Sequence, residues 1–325
     1  MLILFILPTL LLFLAWKKFK QPKPAKSIAG RHIVVTGGSS GIGKSVAVIA
    51  AQRGAHVTII ARNVDKLEEA LIEIKKYCVN EEQMITKVSV DVANFEDIEN
   101  NLCEIEEIVG PIYMLVNCAG MAICGRVEDF TKQQVKQLVD VNFLGSFYPV
   151  KAIVSKFKQR KEGIIVLTAS QVALTGMYGY SVYSACKFAL RGFAESLHME
   201  VKNYNISVTL ALPPDTDTPG FEIENKTKPV ETKLISETGG LVKPEEVAKT
   251  LLDDALSGKF FSYVGFESYI LTTLCVGMSP FASFLEVITQ AVLLGPLRLV
   301  SAFYIMSFQN IVKKCHLERE NKKED

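Results

Sequence analysis

The glycine-rich stretch T-G-G-S-S-G-I-G spans Thr36–Gly43 and decides the fold of this chain. It follows a run of β-branched residues at His32–Thr36 and leads directly into a helical pattern at Ile42–Arg53. Glycine lets the backbone approach a phosphate group closely, and the free N–H groups at a helix N-terminus attract negative charge. The stretch therefore predicts a turn that binds the phosphates of a nucleotide.

The alternation of strand and helix continues from this turn to about Tyr263. Short β-branched runs predict buried strands at His32–Thr36, His56–Ala61, Met84–Val90, Ile112–Asn117, Gly163–Thr168 and Ile206–Leu212. Helical stretches between them are predicted at Ile42–Arg53, Val64–Tyr77, Phe95–Val109, Lys132–Lys158 and Tyr180–Tyr204. This order indicates βαβ units, so the predicted fold class is α/β, a doubly wound parallel sheet of the Rossmann type in one domain.

The spacing of the glycines, T-G-x-x-x-G-x-G, resembles that of the short-chain dehydrogenase/reductase family. The sequence N-C-A-G at Asn117–Gly120 is similar to the N-[NA]-A-G motif of that family, and Asp91 follows the third strand as the family's Asp-Val pair does. The resemblance implies a nicotinamide dinucleotide bound by Gly37, Ser39, Ser40, Gly41, Ile42, Gly43, Asp91, Asn117, Ala119, Gly120, Tyr183 and Lys187.

The end of the second predicted strand indicates which nicotinamide cofactor is used. NAD-selective enzymes carry an acid here, which binds the ribose 2′-hydroxyl. Ala61–Asn63 contains no acid but includes Arg62, and Lys66 follows one turn into the next helix. Because an arginine pairs well with a 2′-phosphate, we expect NADPH/NADP as the cofactor. The alternative is a surface arginine and lysine at a helix start.

Tyr183 and Lys187 form a Y-x-x-x-K pair in the helix after the fifth predicted strand. The i, i+4 spacing puts the phenol and the ammonium on one face of the helix. A nearby lysine and the positive charge of a bound nicotinamide favour the phenolate, so we expect Lys187 and the cofactor together to lower the tyrosine pKa from its usual value of about 10. Such a pair is suited to general acid–base catalysis.

The family resemblance extends to two further catalytic positions. Ser170 ends the fifth strand as the family's catalytic serine does, and Asn142 matches its helix-kinking asparagine. The resemblance implies that Tyr183 donates a proton to a ketone oxygen that Ser170 also hydrogen-bonds. It further implies that Lys187 lowers the tyrosine pKa and binds the nicotinamide ribose, and that Asn142 holds a water in a proton relay.

The segment after the sixth predicted strand covers the substrate in this family, and here Pro213–Phe221 reads P-P-D-T-D-T-P-G-F. This motif and the loop up to Thr238 resemble the branch of the family that reduces the long-chain keto-amine intermediate of sphingolipid synthesis. The resemblance implies a small-molecule, long-chain keto-amine substrate. By charge alone, Asp215, Asp217 or Glu222 attracts its amine, or these acids cap the turns of the loop.

Two other functions remain compatible with the sequence. A membrane-bound retinol or ketosteroid reductase shares the nucleotide-binding motifs but not the motif at Pro213–Phe221. The second alternative is an inactive Rossmann scaffold that binds nucleotide or lipid. The intact set of candidate catalytic residues argues against that scaffold.

The composition excludes several classes of function. The 325 residues carry a formal net charge of +1, so no basic field attracts nucleic acid. The seven cysteines form no C-x-x-C pair and the four histidines are isolated in sequence, so we expect reduced thiols and no metal site. Hydrophobic residues make up 49% of the chain, which is high for a soluble enzyme, and the excess lies at its two ends.

These apolar ends predict a membrane protein. Leu2–Trp16 is apolar and is followed by lysines, which predicts an anchor with the rest of the chain in the cytosol, unless the segment is a buried helix. A second apolar region covers about Val264–Val312, and we expect Pro280 and Pro296 to break it. Two short spans, a re-entrant hairpin, an interfacial helix pair, a dimer face and a substrate lid all fit this region.

Four parts of the chain follow from these patterns. Residues 1–30 are predicted to be an N-terminal membrane anchor and basic linker, and 31–263 the Rossmann catalytic domain. Residues 264–312 are predicted to be membrane-associated, and 313–325 a charged cytosolic tail.

The terminal K-K-E-D resembles the dilysine signal for return to the endoplasmic reticulum. We therefore expect the endoplasmic reticulum membrane, with the catalytic domain facing the cytosol. The number of C-terminal crossings and a homo-oligomer remain open.

Overall fold

The structure is a computed structural model that describes residues 26–237 and 240–324, so the predicted anchor at Leu2–Trp16 lies outside the described residues. The strands are β1 His32–Thr36, β2 His56–Ala61, β3 Ile85–Ser89, β4 Ile112–Asn117, β5 Gly163–Thr168, β6 Ile206–Ala211 and β7 Phe261–Ser262. They form one parallel sheet in the order β3-β2-β1-β4-β5-β6-β7. The predicted doubly wound α/β fold is confirmed.

Helices cover both faces of this sheet. They are α1 Gly41–Gln52, α2 Val64–Lys75, α3 Phe95–Val109, α4 Lys132–Val139, α5 Gly145–Arg160, α6 Ser181–Val201, α7 Pro219–Asn225, α8 Val230–Ser236, α9 Pro244–Leu256, α10 Gly265–Leu274 and α11 Phe284–Glu324. Apolar residues of α3, α5 and α6 pack on one face, and those of α1, α2 and α9 pack on the other. Because β1 and β4 are covered on both faces, every residue in them is buried, which explains their β-branched, unalternating sequences.

The long helix predicted at Lys132–Lys158 is interrupted. A π-helical segment, Asp140–Leu144, separates α4 from α5. Such segments often mark functional positions in helices. The extra residue per turn shifts the hydrogen-bonding register, and Asn142 lies at its centre.

Four elements after β6 were not predicted. β7 has two residues, too few to show an alternating pattern, and it adds to the sheet only through its pairing with β6. α7 and α8 are short and interrupt a stretch interpreted as a loop. α9 covers the sheet beside α1, where Arg53 pairs with Asp253 at 2.7 Å.

The C-terminal apolar region is broken around Pro280, as expected, because α10 ends at Leu274 and α11 begins at Phe284, but the break expected at Pro296 is absent. α11 runs unbroken through Pro296. A proline removes one backbone hydrogen bond and costs helix stability, but the buried Leu293 and Leu297 on either side hold the helix in place. Among the described residues, α11 is the one helix long and apolar enough to cross a membrane, with a mean hydropathy of 1.7 in its most apolar window.

Candidate active site

The predicted cofactor and catalytic residues lie at the carboxyl edge of the sheet. β1 and β4 are neighbours there, while β2 and β3 extend to one side of β1. Ligands bind at this reversal of strand order in open α/β sheets. Thr36 and Asn117, the last residues of β1 and β4, are partners in register. The glycine turn and the N-C-A-G sequence therefore begin side by side.

The turn between β1 and α1 requires glycine at two positions. Gly37 has φ +66°, and a Cβ there would lie 2.8 Å from backbone atoms of Cys118 and Ala119. A Cβ on Gly43 would lie 2.4 Å from the carbonyl oxygen of Gly37. The turn is thus folded closely against both α1 and the loop after β4.

The residues at this turn fit a nicotinamide dinucleotide. The side chain of Ser40, the N-cap residue, makes no capping hydrogen bond to α1, which suits the first N–H groups of this helix to phosphate. Gly41 has φ +54°, and a Cβ there would lie 3.0 Å from Thr218, so glycine keeps this space open. The Oδ1 atom of Asn117 is buried with no hydrogen-bond partner among the described residues, which suits it to a donor on a bound molecule. The other predicted residues of the turn are partly exposed: Ser39, Ser40 and Ile42.

Arg62 and Asp91, which follow β2 and β3, face each other at the rim of the site. Nη1 of Arg62 lies 3.7 Å from Oδ2 of Asp91. Asp91 also accepts a hydrogen bond from the N–H of Ala93 at 3.0 Å, which fixes its carboxylate. Lys66 is exposed in the first turn of α2, and its N–H donates to the side chain of Asn63 at 2.8 Å. The two cationic side chains are therefore accessible to a phosphate group.

The loop after β4 connects the cofactor side to the catalytic side. The N–H of Ala119 donates to Oγ1 of Thr36 at 3.2 Å. Gly120 is exposed, and a Cβ there would lie 3.2 Å from Oδ1 of Asn142 and 3.6 Å from Nζ of Lys187. A Cβ at this position would therefore crowd Asn142 and come into contact with Lys187.

Tyr183 and Lys187 share one face of α6, as their spacing predicts. Nζ of Lys187 lies 5.5 Å from the centre of the Tyr183 ring. The hydroxyls of Tyr183 and Ser170 share a hydrogen bond. Lys187 is 4% exposed, and its ammonium donates to the carbonyl oxygen of Thr168 at 3.0 Å. The structure therefore brings these three predicted side chains together.

Asn142 is fully buried in the π-helical segment. Its Nδ2 donates to the carbonyl oxygens of Met121 at 2.8 Å and Leu138 at 3.0 Å. Its Oδ1 accepts from the N–H of Met121 at 3.2 Å. These contacts anchor the helix interruption to the loop after β4, whereas the water relay implied by the resemblance stays a prediction.

The electrostatics at Tyr183 differ from the expectation. Burial raises the pKa of Tyr183, and the carboxylates of Glu224 and Asp215 raise it further, although the hydrogen bond with Ser170 acts in the opposite direction. Burial also lowers the pKa of Lys187 to about 8. A lowered tyrosine pKa is therefore not found in the protein alone, because desolvation and the two carboxylates dominate.

A partly buried charge cluster, formed by Tyr180, Asp215, Glu224 and Lys228, lies beside this tyrosine. The Lys228 side chain is 1% exposed, and its Nζ lies 2.9 Å from Glu224 and 3.7 Å from Asp215. The Tyr180 hydroxyl donates to Glu224, and its ring centre is 5.6 Å from that of Tyr183. With two carboxylates and one ammonium, the charge cluster has a formal charge of −1.

The three acids named from the sequence are separated by the fold. Asp215 belongs to the charge cluster, whereas Asp217 and Glu222 are exposed. Neither Glu224 nor Lys228 was predicted from the sequence as a residue of the site. Their i, i+4 spacing indicates an ion pair on one helix face. Such pairs are common on helix surfaces, and this pair is buried only because the segment packs over the sheet.

Comparisons with known proteins identify the family. Residues 31–229 match the model of the short chain dehydrogenase family. The 3-ketodihydrosphingosine reductase of Bos taurus is 47% identical over 300 residues, which cover 92% of this chain and 90% of the relative. The 3-dehydrosphinganine reductase of Danio rerio is 46% identical, and the match covers 97% of this chain and 95% of the relative.

A solved structure shares the fold. Levodione reductase superimposes with a TM-score of 0.67 at 22% identity, covering 74% of this chain and 99% of that chain. The family model spans more than half of the chain, and the relatives match nearly all of it. This chain therefore belongs to the short chain dehydrogenase family, and the 3-ketodihydrosphingosine reductases are among its relatives.

Proposed function

We propose that this protein reduces the ketone of 3-ketodihydrosphingosine to the alcohol of dihydrosphingosine, with NADPH as the reductant. The relatives from Bos taurus and Danio rerio are named for this substrate, and their similarity extends over nearly the whole chain. The observation that carries the proposal is the assembly of Ser170, Tyr183 and Lys187 beside the glycine turn. Ketone reduction needs a proton donor and a stabiliser of negative charge on oxygen, and this group contains both.

Tyr183 is the proton donor in this proposal. Its raised pKa keeps the phenol protonated at neutral pH, which is the form a reductase needs when each turnover begins. The substrate oxygen accepts hydrogen bonds from Tyr183 and Ser170, which stabilise its developing charge. When bound, NADPH supplies the hydride.

Lys187 and Asn142 support the proton donor. With a pKa of about 8, the Lys187 ammonium is charged at neutral pH and still able to release a proton that restores the phenol. Its position near Gly120 also suits the nicotinamide ribose. Asn142 positions the loop that carries Gly120 through its three hydrogen bonds to Met121 and Leu138.

The cofactor in this proposal is NADPH rather than NADH. Arg62 and Lys66 are exposed at the end of β2, where a 2′-phosphate is placed in this fold. Arg62 binds that phosphate with charge-assisted hydrogen bonds. The remaining contacts come from Gly37, Ser39, Ser40, Gly41, Ile42, Gly43, Asp91, Asn117, Ala119, Gly120, Tyr183 and Lys187.

The charge cluster suits the amine of the proposed substrate. In a 2-amino-3-ketone the cationic nitrogen is bonded to the carbon next to the reacting carbonyl, so its counter-ion must lie close to the proton donor. Glu224 and Asp215 act electrostatically on Tyr183, and only one cation, Lys228, pairs with both of them among the described residues. A bound ammonium would neutralise the remaining negative charge.

The proposed location is the cytosolic face of the endoplasmic reticulum membrane. α11 supports membrane association through its length and hydropathy. The terminal K-K-E-D supports return to that compartment. In this proposal the anchor ends at residue 30, the catalytic domain at 263 and the membrane-associated region at 312, and the charged tail follows. The proposal does not depend on a homo-oligomer.

One experiment tests this function against the two alternatives. The purified full chain is assayed for NADPH oxidation with 3-ketodihydrosphingosine, retinal and a 3-ketosteroid in parallel. We expect turnover with 3-ketodihydrosphingosine at a kcat/KM at least tenfold above that for the other two. Preference for retinal or the steroid would replace the proposed substrate, and no oxidation with any of them would favour a non-catalytic scaffold.

A further inference from the structure

We infer that α11 lies in the plane of the membrane, along the side of the catalytic domain, and does not cross the bilayer. By length and composition the helix is able to cross. Its two faces nevertheless differ in their contacts. One face packs against the catalytic domain near both ends, and the opposite face is apolar and exposed.

The inner face of α11 follows the helical period. Its buried residues are Leu293, Leu297, Ser301 and Cys315, which all fall within one side of a helix that turns about 100° per residue. Leu293 and Leu297 form a buried cluster with Tyr269 of α10. This end of α11 is thus attached to the catalytic domain.

The C-terminal end of the inner face of α11 also contacts the catalytic domain. Arg319 forms an ion pair with Glu231 of α8, whose side chain is buried. About 39 Å of helix separates Leu293 from Arg319 at about 1.5 Å per residue, which exceeds the ~30 Å hydrocarbon core of a bilayer. A helix perpendicular to the membrane would carry one of these contacts to the opposite side, so both contacts hold only if the helix lies along the domain.

The outer face of α11 is suited to lipid. Most of its exposed large residues lie on the side opposite Leu293 and Leu297: Phe284, Leu285, Ile288, Val292, Leu299, Phe303, Met306 and Leu317. Tyr304 and Ile305, in the middle of the helix, are exposed as well but do not share this face. The preceding loop adds Met278 and Phe281, both exposed. Between Glu286 and Lys313 the only charged residue is Arg298. This pattern is typical of a helix that lies at the membrane interface with its apolar face in the acyl region.

The charges at the end of this apolar stretch favour a lipid surface over a second protein chain. Lys313 and Lys314 follow the last apolar turn and are exposed, and Lys314 also lies 4.0 Å from the carboxylate of Glu318. Basic residues beside an apolar helix face attract anionic lipid head groups. The occupant of the outer face is therefore an anionic phospholipid surface.

The contact between α11 and α8 also indicates where the substrate enters, an inference that rests on the proposed function. α8 belongs to the segment that covers the active site, where Thr232 donates to the carbonyl oxygen of Tyr178 at 2.8 Å. Because Arg319 pairs with Glu231 in α8, the covering segment lies next to the membrane-plane helix. A long-chain substrate enters from the lipid side under this segment.

Tryptophan depth measurements test the orientation of α11. Val292→Trp, Phe303→Trp and Leu317→Trp, all on the exposed outer face, are prepared singly in the full chain with Trp16→Phe. Each is bound to phosphatidylcholine–phosphatidylserine vesicles that contain lipids brominated at different depths. Ile72→Trp, at an exposed position of α2, is the matched control.

We expect all three outer-face tryptophans to be quenched most strongly by the same shallow bromines, and the control to be unquenched. A spanning helix would place them at clearly different depths, which would overturn the inference. Absence of quenching at all three sites would also overturn it, because water or a second copy would then cover the face. Failure of the reductase assay leaves this measurement unaffected, since quenching requires no turnover.

Discussion

The ammonium of Lys228 lies 2.9 Å from the carboxylate of Glu224, and the lysine side chain of this ion pair is almost fully buried. Burying a charge is costly unless it is paired, so this lysine is held by Glu224 and by Asp215. Because the charge cluster contains two carboxylates and one ammonium, one of its negative charges is not balanced by a positive charge within the cluster. Its place beside Tyr183 allows the protein to recognise an amine and a ketone on adjacent carbons.

Glu224→Gln should raise the KM for 3-ketodihydrosphingosine about tenfold, because a hydrogen bond to a charged group contributes about 1.5 kcal/mol. The KM for an analogue that lacks the 2-amino group should stay unchanged. Steady-state kinetics with both compounds measures the difference. Asp217→Asn, an exposed acid in the same segment, is the matched control and should behave as wild type. Equal losses with both compounds would mean that Glu224 only holds the segment in place.

Tyr183→Phe should abolish turnover and leave NADPH binding nearly intact, because it removes only the hydroxyl. Ser170→Ala should lower kcat by roughly a hundredfold to a thousandfold, the usual effect of losing one donor to a developing oxyanion. Fluorescence titration with NADPH and the NADPH oxidation assay separate binding from chemistry. Substantial activity in Tyr183→Phe would refute the assignment of the proton donor.

Arg62→Ala should raise the KM for NADPH roughly tenfold to a hundredfold, as expected for the loss of charge-assisted hydrogen bonds of about 1.5–3 kcal/mol. The KM for NADH should change little, because NADH has no 2′-phosphate. Lys66→Ala should show a smaller effect in the same direction. If the wild-type protein preferred NADH, both the cofactor assignment and this role of Arg62 would be wrong.

Lys187→Met should abolish activity and change how stability depends on pH. Burial lowers the lysine pKa in the folded protein to about 8, below its unfolded value, so the folded state is penalised below pH 8 and relieved as the pH rises toward 10.5. At about 1.4 kcal/mol per pKa unit the relief is about 3 kcal/mol. The free energy of unfolding of wild type should therefore rise relative to the variant by this order between pH 7 and pH 10.5. Parallel denaturant curves for the two proteins would contradict the prediction.

The local features of the site were predictable because they depend on residues close in sequence. The glycine turn at Thr36–Gly43 needs only a strand before it and a helix after it. Tyr183 and Lys187 share a helix face through their spacing alone. The buried strands show β-branched runs because both faces of the sheet are covered, so the predicted strands agree with β1 to β6 within one residue at each end.

Two features differ from what the sequence pattern indicates, because distant packing decides them. The break expected at Pro296 is absent because α10 holds Leu293 and Leu297 on either side of it. In the protein alone the pKa of Tyr183 is raised and not lowered, because the tyrosine is buried near Glu224 and Asp215.

The sequence by itself determined the fold class, the nucleotide turn and the pairing of Tyr183 with Lys187, since each is encoded by periodicity or by a spacing of a few residues. Only the tertiary structure decided that Glu224 and Lys228 are buried beside Tyr183 and that Arg319 reaches Glu231. These contacts join residues up to 88 positions apart. Their burial, and hence their strength in a low-dielectric site, exists only after the covering segment and α11 have packed on the sheet.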